Sequence, residues 1–362
     1  MNIGIVTQPL GDNYGGLLQN WALQQVLGKL GHYPITLDAY SRLPLSTYLV
    51  KLAATATLKC LGRKQVSWPY KPQKGKRYHC SDITADFIRN HIKTTEPFYY
   101  YNSQLIKDYN LDAIIVGSDQ VWRPIFNPRI ADMFLDFAKK HDIKKVAYAA
   151  SFGTDQWELS PEQTMVCKKL AQGFKAVSVR ENSGVQLCQK HLEVKCRIVL
   201  DPTLLLTSDD YSKLISDVPV NTEEFIAVYC LDKTEDKMSI FDSISEKYNL
   251  PLHVFSAHDD ISLSVEKWLA VFRDAKVVIT DSFHGTVFSI LFHKPFYTIL
   301  NPHRGNERFT SLLSSLHLDN RIIETKEAVK LPSTEMNWEV IDDQLDLYKS
   351  ESLKFLDDAL NS

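Results

Sequence analysis

Residues 113–122, AIIVGSDQVW, join four apolar residues to a glycine and then to polar side chains. A short apolar run that ends at a glycine is typical of a strand buried on both faces, as in a parallel sheet covered by helices. Ligands of open parallel sheets bind at the carboxyl ends of the strands, which is where these polar side chains would lie. The stretch therefore predicts an α/β fold and a place for its functional site.

Similar strands alternate with helical patterns in both directions from this stretch. The first series of predicted strands is 2–7, 34–37, 113–116, 145–149, 176–179 and 197–200. The second series is 225–229, 252–255, 277–280 and 296–300. Helical patterns lie between many of these strands, for example at 16–30, 183–191 and 211–215. Such alternation predicts mainly parallel sheets with helices on their faces.

The chain has 362 residues, a length that favours two domains. A turn-rich stretch at 207–222 separates the two series of strands. We therefore predict one Rossmann-like domain over residues 1–207 and a second over 222–330, facing each other across a cleft. Residues 331–362 carry the apolar stripe of a helix, and we expect this helix to return to the first domain.

The composition is that of an ordinary folded protein, with 44% hydrophobic and 23% charged residues. A net charge of −3 gives no general attraction to nucleic acid. The chain starts without a signal-like segment, contains no apolar run long enough for a membrane span, and has six scattered cysteines without a CxxC pair. We expect a cytoplasmic protein with reduced thiols. Histidines and carboxylates show no metal-ligand spacing, so we expect no metal.

Residues 43–77 interrupt the alternation. An apolar, moderately helical stretch at 43–61 is followed by six basic residues between positions 63 and 77, interleaved with Trp68 and Tyr70. One interpretation is an amphipathic element that lies at the inner face of an anionic membrane. The other interpretation is a helix packed on the first domain and followed by a solvated basic loop.

Two polar strand exits in the first domain are candidate ligand sites, and the second of them suits the binding of sugar hydroxyls. Residues 11–16, GDNYGG, open a helix, and glycines there let the backbone approach a ligand while free N–H groups favour an anion. In the exit at 117–123, Asp119 is placed to accept a hydroxyl proton as a general base. The structural alternatives are a turn with a helix cap at 11–16 and capping by Ser118 or Asp119.

Arginine and histidine side chains follow three further predicted strands. Arg180 offers a planar fork to a phosphate or carboxylate, or else an ion pair to Glu181. His284 follows the strand 277–280 beside a helix start, where a histidine is able to donate a proton near neutral pH. Arg304 and Arg308 come after the strand 296–300 and either add cations to the same edge or lie on a surface loop.

Five segments carry a resemblance to a known family. They are NYGGLLQNWALQ at 13–24, GSDQVW at 117–122, SVRE at 178–181, DPTLL at 201–205 and TDSFHGT at 280–286. In this order and at this spacing they resemble the polysaccharide pyruvyl transferase family, over residues 3–325. The resemblance implies a glycosyltransferase-like (GT-B) fold in a bacterial enzyme that makes a surface polysaccharide, such as a capsule or exopolysaccharide.

The resemblance also implies a reaction. Pyruvate moves from phosphoenolpyruvate onto two hydroxyls of a sugar, in the polysaccharide or its lipid-linked precursor, and forms a cyclic ketal. Phosphoenolpyruvate is then the donor substrate, and no cofactor is implied. His284 is the expected acid and Asp119 the expected base. The residues expected to contact the substrates are Asn13, Tyr14, Gly15, Gln19, Ser118, Gln120, Trp122, Arg180, Asp281, Ser282, Gly285, Thr286, Arg304 and Arg308.

One position departs from the family pattern. Other branches have an arginine two residues before the histidine, whereas this chain has Ser282. We expect Arg304 or Arg308 to replace that anion contact. Two alternative functions remain open: a nucleotide-sugar glycosyltransferase of the same GT-B-like shape, and a non-catalytic protein that binds a polysaccharide intermediate during assembly. The sequence does not indicate an oligomeric state.

Overall fold

The computed structural model describes residues 1–40, 45–60, 80–255, 263–300, 305–323 and 335–361. Two parallel β-sheets, each packed against helices, form the protein. The prediction of an α/β fold with two Rossmann-like parallel sheets is thereby confirmed. Buried apolar residues of the two halves belong to one continuous core, which runs from Ile3 in the first sheet to Phe296 in the second.

The first sheet has six strands in the order β2-β1-β3-β4-β5-β6, and every neighbouring pair is parallel. The strands are β1 (Asn2–Val6), β2 (Tyr33–Thr36), β3 (Ala113–Val116), β4 (Lys144–Ala150), β5 (Ala176–Val179) and β6 (Arg197–Ile198). The helices of this half are α1 (Tyr14–Lys29), α2 (Leu45–Cys60), α3 (Asp82–His91), α4 (Gln104–Asp108), α5 (Pro161–Ala171) and α6 (Asn182–Leu187). All four residues of β3 are buried, as expected for a strand covered on both faces.

The second sheet has five strands in the order β11-β10-β9-β7-β8, again all parallel. The strands are β7 (Ile226–Tyr229), β8 (Leu252–Phe255), β9 (Val277–Thr280), β10 (Phe296–Ile299) and β11 (Ile322–Ile323). Helix α7 (Ser208–Leu214) leads into this half, which also contains α8 (Glu235–Tyr248), α9 (Val265–Asp274), α10 (Phe283–Leu291) and α11 (Glu307–Ser315).

Some helices differ from the sequence-based expectation because local capping decides where they begin. The helix predicted at 16–30 begins at Tyr14, since the Asn13 side chain accepts the Gly16 N–H at 3.1 Å. The helix predicted at 211–215 begins at Ser208, after a capping box formed by Thr207 and Asp210. The helix predicted at 183–191 is split into α6 and a π-helical turn, Cys188–Leu192.

Helix α2 occupies the apolar part of the segment 43–77. Its residues Leu49 and Val50 are 53% and 68% exposed. Residues 61–79, which carry the basic side chains, lie outside the described residues, so both interpretations of the segment stay predictions. No helix in the described part of the chain is long and apolar enough to cross a membrane.

The last helix, α12 (Trp338–Asn361), begins beside the second half, where Trp338 stacks on His293 at 4.8 Å, and then packs against the first sheet. The Ser352 Oγ accepts the Leu200 N–H at 3.0 Å, and the Leu360 carbonyl accepts a hydrogen bond from Lys144 Nζ. The Phe355 ring lies 6.3 Å from the ring of Tyr148 in β4, measured between centroids. The chain therefore passes from the first half to the second and back again.

Candidate functional site

The two halves meet where strands of both sheets end. Ser118 follows β3, Arg180 follows β5 and Asp201 follows β6, while His284 lies in the first turn of α10 after β9. His284 Nε2 is 3.8 Å from Asp201 Oδ1, so the two sheets contribute to one cluster. The carboxyl ends of parallel strands thus build the site, as general experience with such sheets predicts.

Asp201 is the centre of this cluster. Its Oδ2 accepts hydrogen bonds from Arg180 Nη1 and from Ser118 Oγ, both at 2.7 Å. Its Oδ1 accepts from the N–H of Thr203 at 3.0 Å and from the Thr203 hydroxyl at 2.7 Å. Burial by itself would raise the pKa of Asp201, but the charges of His284 and Arg180 and these hydrogen bonds lower it to about 2. Asp201 therefore stays ionised and anchors the cluster.

Asp201 was quoted in the resemblance but received no role in the sequence analysis. The available signal was its position, because it follows the last strand of the first series at the edge where polar side chains collect. Its partners Arg180 and Ser118 lie 21 and 83 residues away along the chain, and no local sequence pattern indicates these contacts.

Arg180 is buried and is hydrogen-bonded through its two terminal nitrogens. Besides Asp201, its Nη1 contacts Ser118 Oγ at 3.1 Å, and its Nη2 lies 3.4 Å from Asp119 Oδ1. Burial opposes the charge, yet Asp201, Asp119 and Glu181 raise the pKa of Arg180. The Nε–H has no hydrogen-bond partner among the described residues although it is buried. A buried cationic donor without a partner is suited to an anionic ligand.

Asp119 links two strand exits of the first sheet. It has a φ of 82°, a conformation that costs energy for a residue other than glycine and tends to occur at functional sites. Its Oδ1 accepts the N–H of Gln120 at 2.8 Å, and its Oδ2 accepts from Asn13 Nδ2 at 3.3 Å. Its backbone is fixed by the N–H of Ser151, which donates to the Asp119 carbonyl at 3.1 Å. The carboxylate is thus held in place at the site.

The Phe283 ring brings a second arginine into the cluster. The guanidinium carbon of Arg180 lies 5.0 Å from its centroid and that of Arg308 lies 5.6 Å away, both within cation–π range. Burial and the charge of Arg180 lower the pKa of Arg308 to about 10, so it remains a cation at neutral pH. Arg308 thus lies against Phe283, the residue next to Ser282. Other branches of the family have an arginine at position 282, which the sequence analysis expected Arg304 or Arg308 to replace. Arg304 lies outside the described residues.

His284 is buried in a slot that the first half provides. A Cβ added to Gly15 would lie 2.0 Å from His284 Nδ1, so only a glycine at position 15 leaves room for the ring. His284 Nε2 is buried and has no hydrogen-bond partner among the described residues. Burial lowers the pKa of His284 to about 4, an effect that Asp201 opposes and Arg180 reinforces. The imidazole is therefore neutral at pH 7.

This lowered pKa predicts a pH-dependent stability. Between pH 6.5 and 4 the unfolded chain protonates His284 while the folded protein does not, so stability decreases as the pH falls through that range. We expect wild type to lose about 2 kcal/mol more than His284→Gln between pH 7 and pH 5. Urea unfolding of both proteins at the two pH values measures the difference. Equal losses in the two proteins would contradict the buried, neutral histidine.

Glu181 is a buried carboxylate that the sequence analysis considered only as a partner of Arg180. Its Oε1 accepts the N–H of Phe152 at 2.8 Å and that of Gly153 at 3.4 Å, which holds the exit of β4. Burial raises the pKa of Glu181, although Arg180 counteracts this. The loop that it holds also touches the second half, because a Cβ added to Gly305 would lie 1.8 Å from the Gly153 carbonyl oxygen.

Asp281 does not offer its carboxylate to a ligand as the sequence analysis expected. The side chain is buried and accepts from Lys237 Nζ and from the N–H of Leu231, both at 2.6 Å, and from the N–H of Asp232 at 3.2 Å. These donors close the connection from β7 to α8. The neighbouring Ser282 caps α10, accepting the Gly285 N–H at 3.4 Å. Both side chains are therefore used to build the second half.

Three more predicted contact residues serve packing, and this corrects their assignment. Trp122 is fully buried, stacks on Phe134 at 4.8 Å and donates its indole N–H to the Met133 carbonyl. The Thr286 hydroxyl is buried against that of Thr298 at 2.9 Å. Gly285 is packed against β9, since an added Cβ would lie 2.3 Å from Thr280 Oγ1. The side chains of Trp122 and Thr286 point into the core, and Gly285 leaves no room for a side chain beside β9.

The remaining predicted residues lie at the seam between the halves or around Asp119. The Tyr14 hydroxyl donates to the Leu263 carbonyl of the second half at 2.6 Å. Gln19 is buried and donates to Thr7 Oγ1 at 3.0 Å. Gln120 accepts at its Oε1 from Arg123 Nη1 at 3.1 Å. Asn13, which is exposed, is the member of the glycine-rich turn that contacts Asp119.

In the described part of the chain, no group of three or more histidine, cysteine, aspartate or glutamate side chains is arranged to hold a metal ion. The cluster itself contains two arginines, a histidine and carboxylates.

Comparison with known proteins identifies a family whose model matches the chain. The model of the family "polysaccharide pyruvyl transferase" matches residues 13–303. No curated protein matches the chain. Among solved structures the chain is similar to a UDP-N-acetylglucosamine 2-epimerase from Rickettsia bellii, with 10% identity, 98% of this chain and 96% of that chain covered, and a TM-score of 0.46.

Two further solved structures have similar values. The UDP-GlcNAc 2-epimerase of Methanocaldococcus jannaschii, in complex with UDP-GlcNAc and UDP, is 10% identical over 96% of this chain and 93% of that one, with a TM-score of 0.44. A spinosyn rhamnosyltransferase complexed with thymidine diphosphate is 10% identical over 100% and 96%, with a TM-score of 0.39.

Proposed function

Because the chain belongs to the polysaccharide pyruvyl transferase family, we propose that it transfers pyruvate from phosphoenolpyruvate to a sugar. The product is a cyclic ketal on two hydroxyls of a surface polysaccharide or of its lipid-linked precursor. The observation that carries the proposal is the burial of His284 beside the anchored pair of Arg180 and Asp201. A proton donor and a fixed cation are the two groups that this reaction requires.

The donor needs cations because phosphoenolpyruvate carries a phosphate and a carboxylate. Arg180 is held by Asp201 through Nη1, which leaves its Nε–H available for one of these groups. Arg308 lies on the same aromatic ring and supplies the second guanidinium. The first turn of α10 adds the positive end of a helix dipole. Arg304 remains a candidate for a third contact.

The reaction begins at the methylene carbon of the donor, which must be protonated to make the central carbon electrophilic. His284 is the proposed acid. Its pKa of about 4 means that it must gain a proton when the donor binds. A bound anion raises the pKa of a neighbouring histidine, so donor binding itself favours the imidazolium.

The following steps balance without an added reagent. A sugar hydroxyl attacks the central carbon and gives its proton to Asp119, forming the first C–O bond. The C–O bond to phosphate then breaks, with the charge of the leaving group stabilised by the arginines. A second hydroxyl closes the ketal, and its proton restores His284. The proton of Asp119 leaves with phosphate, so one donor and one diol yield one ketal and one phosphate.

The experiment that tests this function measures phosphate release from phosphoenolpyruvate. Wild type, His284→Ala and the exposed-histidine control His253→Ala are incubated with acceptors that contain galactose or N-acetylmannosamine. We expect acceptor-dependent release in wild type and in the control, and a loss of about a hundredfold or more in His284→Ala. Undiminished phosphate release by His284→Ala would contradict the role of His284 as the acid.

Thermal unfolding with phosphoenolpyruvate, UDP or GDP separates this function from the glycosyltransferase alternative. A ligand at a hundred times its dissociation constant stabilises the folded state by about 2.7 kcal/mol. We expect stabilisation by phosphoenolpyruvate. Stabilisation by a nucleoside diphosphate alone, together with no phosphate release, would contradict pyruvyl transfer.

A further inference from the structure

Four large apolar side chains lie exposed at the carboxyl edge of the first sheet. Tyr99, Tyr100, Ile125 and Phe126 are 42%, 58%, 71% and 52% exposed, and we call them the aromatic edge surface. Exposed apolar side chains that group together, with polar side chains around them, mark binding surfaces. The proposed donor chemistry uses none of the four.

The turn that carries Ile125 and Phe126 is held by hydrogen bonds. The N–H of Asn127 donates to the Arg123 carbonyl at 3.2 Å, which closes the turn. The buried Asn127 side chain donates to the Val121 carbonyl at 2.8 Å and fastens the turn to the exit of β3. The two apolar side chains are therefore presented to solvent on a fixed support.

The tyrosines are supported in the same way. Tyr101, the next residue in the chain, is buried and stacks on Phe137 with a centroid distance of 5.1 Å. The side chain of Asn102 donates to the Tyr100 carbonyl at 3.3 Å. The Tyr99 ring makes an edge contact with Tyr40 at 6.1 Å. Rings that are ordered before binding lose little conformational entropy when a ligand stacks on them.

An arginine lies over each of two rings of the surface and affects what the surface can bind. The Arg123 guanidinium lies 5.5 Å from the Phe126 centroid, and that of Arg129 lies 5.0 Å from the Tyr100 centroid. Arg123 is paired with Glu158 at 3.0 Å, and Arg129 with Asp132 at 2.8 Å. These ion pairs neutralise both guanidinium charges, so the surface does not favour an anionic ligand. Flat apolar faces bordered by hydrogen-bonding groups fit a sugar ring, which has an apolar C–H face and a rim of hydroxyls.

A continuous series of contacts joins this surface to the catalytic cluster. Phe126 contacts Arg123, whose Nη1 donates to Gln120 Oε1 at 3.1 Å. The backbone N–H of Gln120 in turn donates to Asp119 Oδ1 at 2.8 Å. A polymer whose reacting sugar lies at Asp119 would pass over these residues with its next units.

We propose that the aromatic edge surface binds sugar units of the acceptor beyond the one that reacts, by stacking on Tyr100 and Phe126. The substrate is accordingly an oligosaccharide or polymer rather than a single sugar. The identity of the acceptor rests on the proposed function, whereas binding to the surface does not require turnover.

The test measures affinity as a function of chain length. Saturation-transfer NMR is performed on the full chain, without phosphoenolpyruvate, using galactose- and N-acetylmannosamine-containing oligosaccharides of two and of six units. The proteins are wild type, the double variant Tyr100→Ala/Phe126→Ala, and Tyr33→Ala. Tyr33 is 71% exposed at the start of β2, at the opposite edge of the sheet, and serves as a matched control.

We expect wild type and Tyr33→Ala to bind the longer chains roughly tenfold more tightly than the shorter ones, and the double variant to lose this gain. Equal affinity for both lengths in wild type, or a gain that survives in the double variant, would overturn the inference.

Phosphate release is assayed in parallel. If wild type releases no phosphate yet shows the length-dependent binding, the result contradicts pyruvyl transfer and supports sugar binding by the aromatic edge surface. In another outcome, the short acceptor supports phosphate release at equal rates in wild type and the double variant, and the double variant still binds the longer chains more tightly. That result contradicts sugar binding by the aromatic edge surface and supports pyruvyl transfer.

Discussion

Gly15→Ala is expected to lower acceptor-dependent phosphate release by about a hundredfold or more. The added methyl carbon would lie 2.0 Å from Nδ1, 2.5 Å from Cγ and 2.7 Å from Cε1 of His284, so the ring cannot keep its place. A displacement of about 1 Å at a reacting group costs on the order of a hundredfold in rate. Steady-state phosphate release at saturating phosphoenolpyruvate measures the effect.

Gly28→Ala is the matched control for this variant. Both glycines lie in α1, but a Cβ added to Gly28 meets no atom within 4 Å. Alanine is also the better helix former by roughly 1 kcal/mol, so the control should be at least as stable as wild type. If Gly15→Ala retained the activity of Gly28→Ala, the His284 ring would not occupy the slot during turnover.

Asp201→Asn is expected to destabilise the protein by about 3 kcal/mol or more. The change keeps the shape of the side chain but removes the charge that faces Arg180 at 2.7 Å in a buried site. Removing one partner of a buried ion pair costs about 3–5 kcal/mol, because the other charge is left without compensation. Urea unfolding at pH 7.5 measures the loss. Asp86→Asn is the control, since Asp86 pairs with Arg89 on the surface and should cost less than about 1 kcal/mol.

The same variant has a consequence for catalysis that a merely structural role would not produce. Asp201 favours the protonated form of His284, so its neutralisation lowers the pKa of that histidine further. The pH at which phosphate release is half-maximal on the alkaline side should therefore move to a lower value in Asp201→Asn. An unchanged pH profile would mean that Asp201 holds Arg180 in place but does not influence the protonation of His284 during turnover.

The strands and their functional edges were predictable because their signals are local. The buried strand at 113–116 and the one at 277–280 are apolar runs that end at polar residues, and the structure has them at the same bounds. Helix starts were less accurate, since Asn13 and Thr207 cap through side-chain geometry that hydrophobic periodicity does not contain.

The arrangement of the site was only partly predictable. Gly15 was expected to let the backbone approach a ligand, but in the structure it makes room for a histidine 269 positions further along the chain. Trp122 was expected to contact the substrates as part of the segment GSDQVW, yet the turn directs it into the core. Such outcomes depend on how the two halves dock, and no residue pattern within one segment encodes that.

The return of α12 to the first sheet has a consequence for the order in which the fold is completed. Phe355 packs on Tyr148 of β4, and Ser352 Oγ accepts the Leu200 N–H, so the first half takes part of its core from the last helix. Because α12 follows the second half in the sequence, the first half is completed only after the second half has been synthesised.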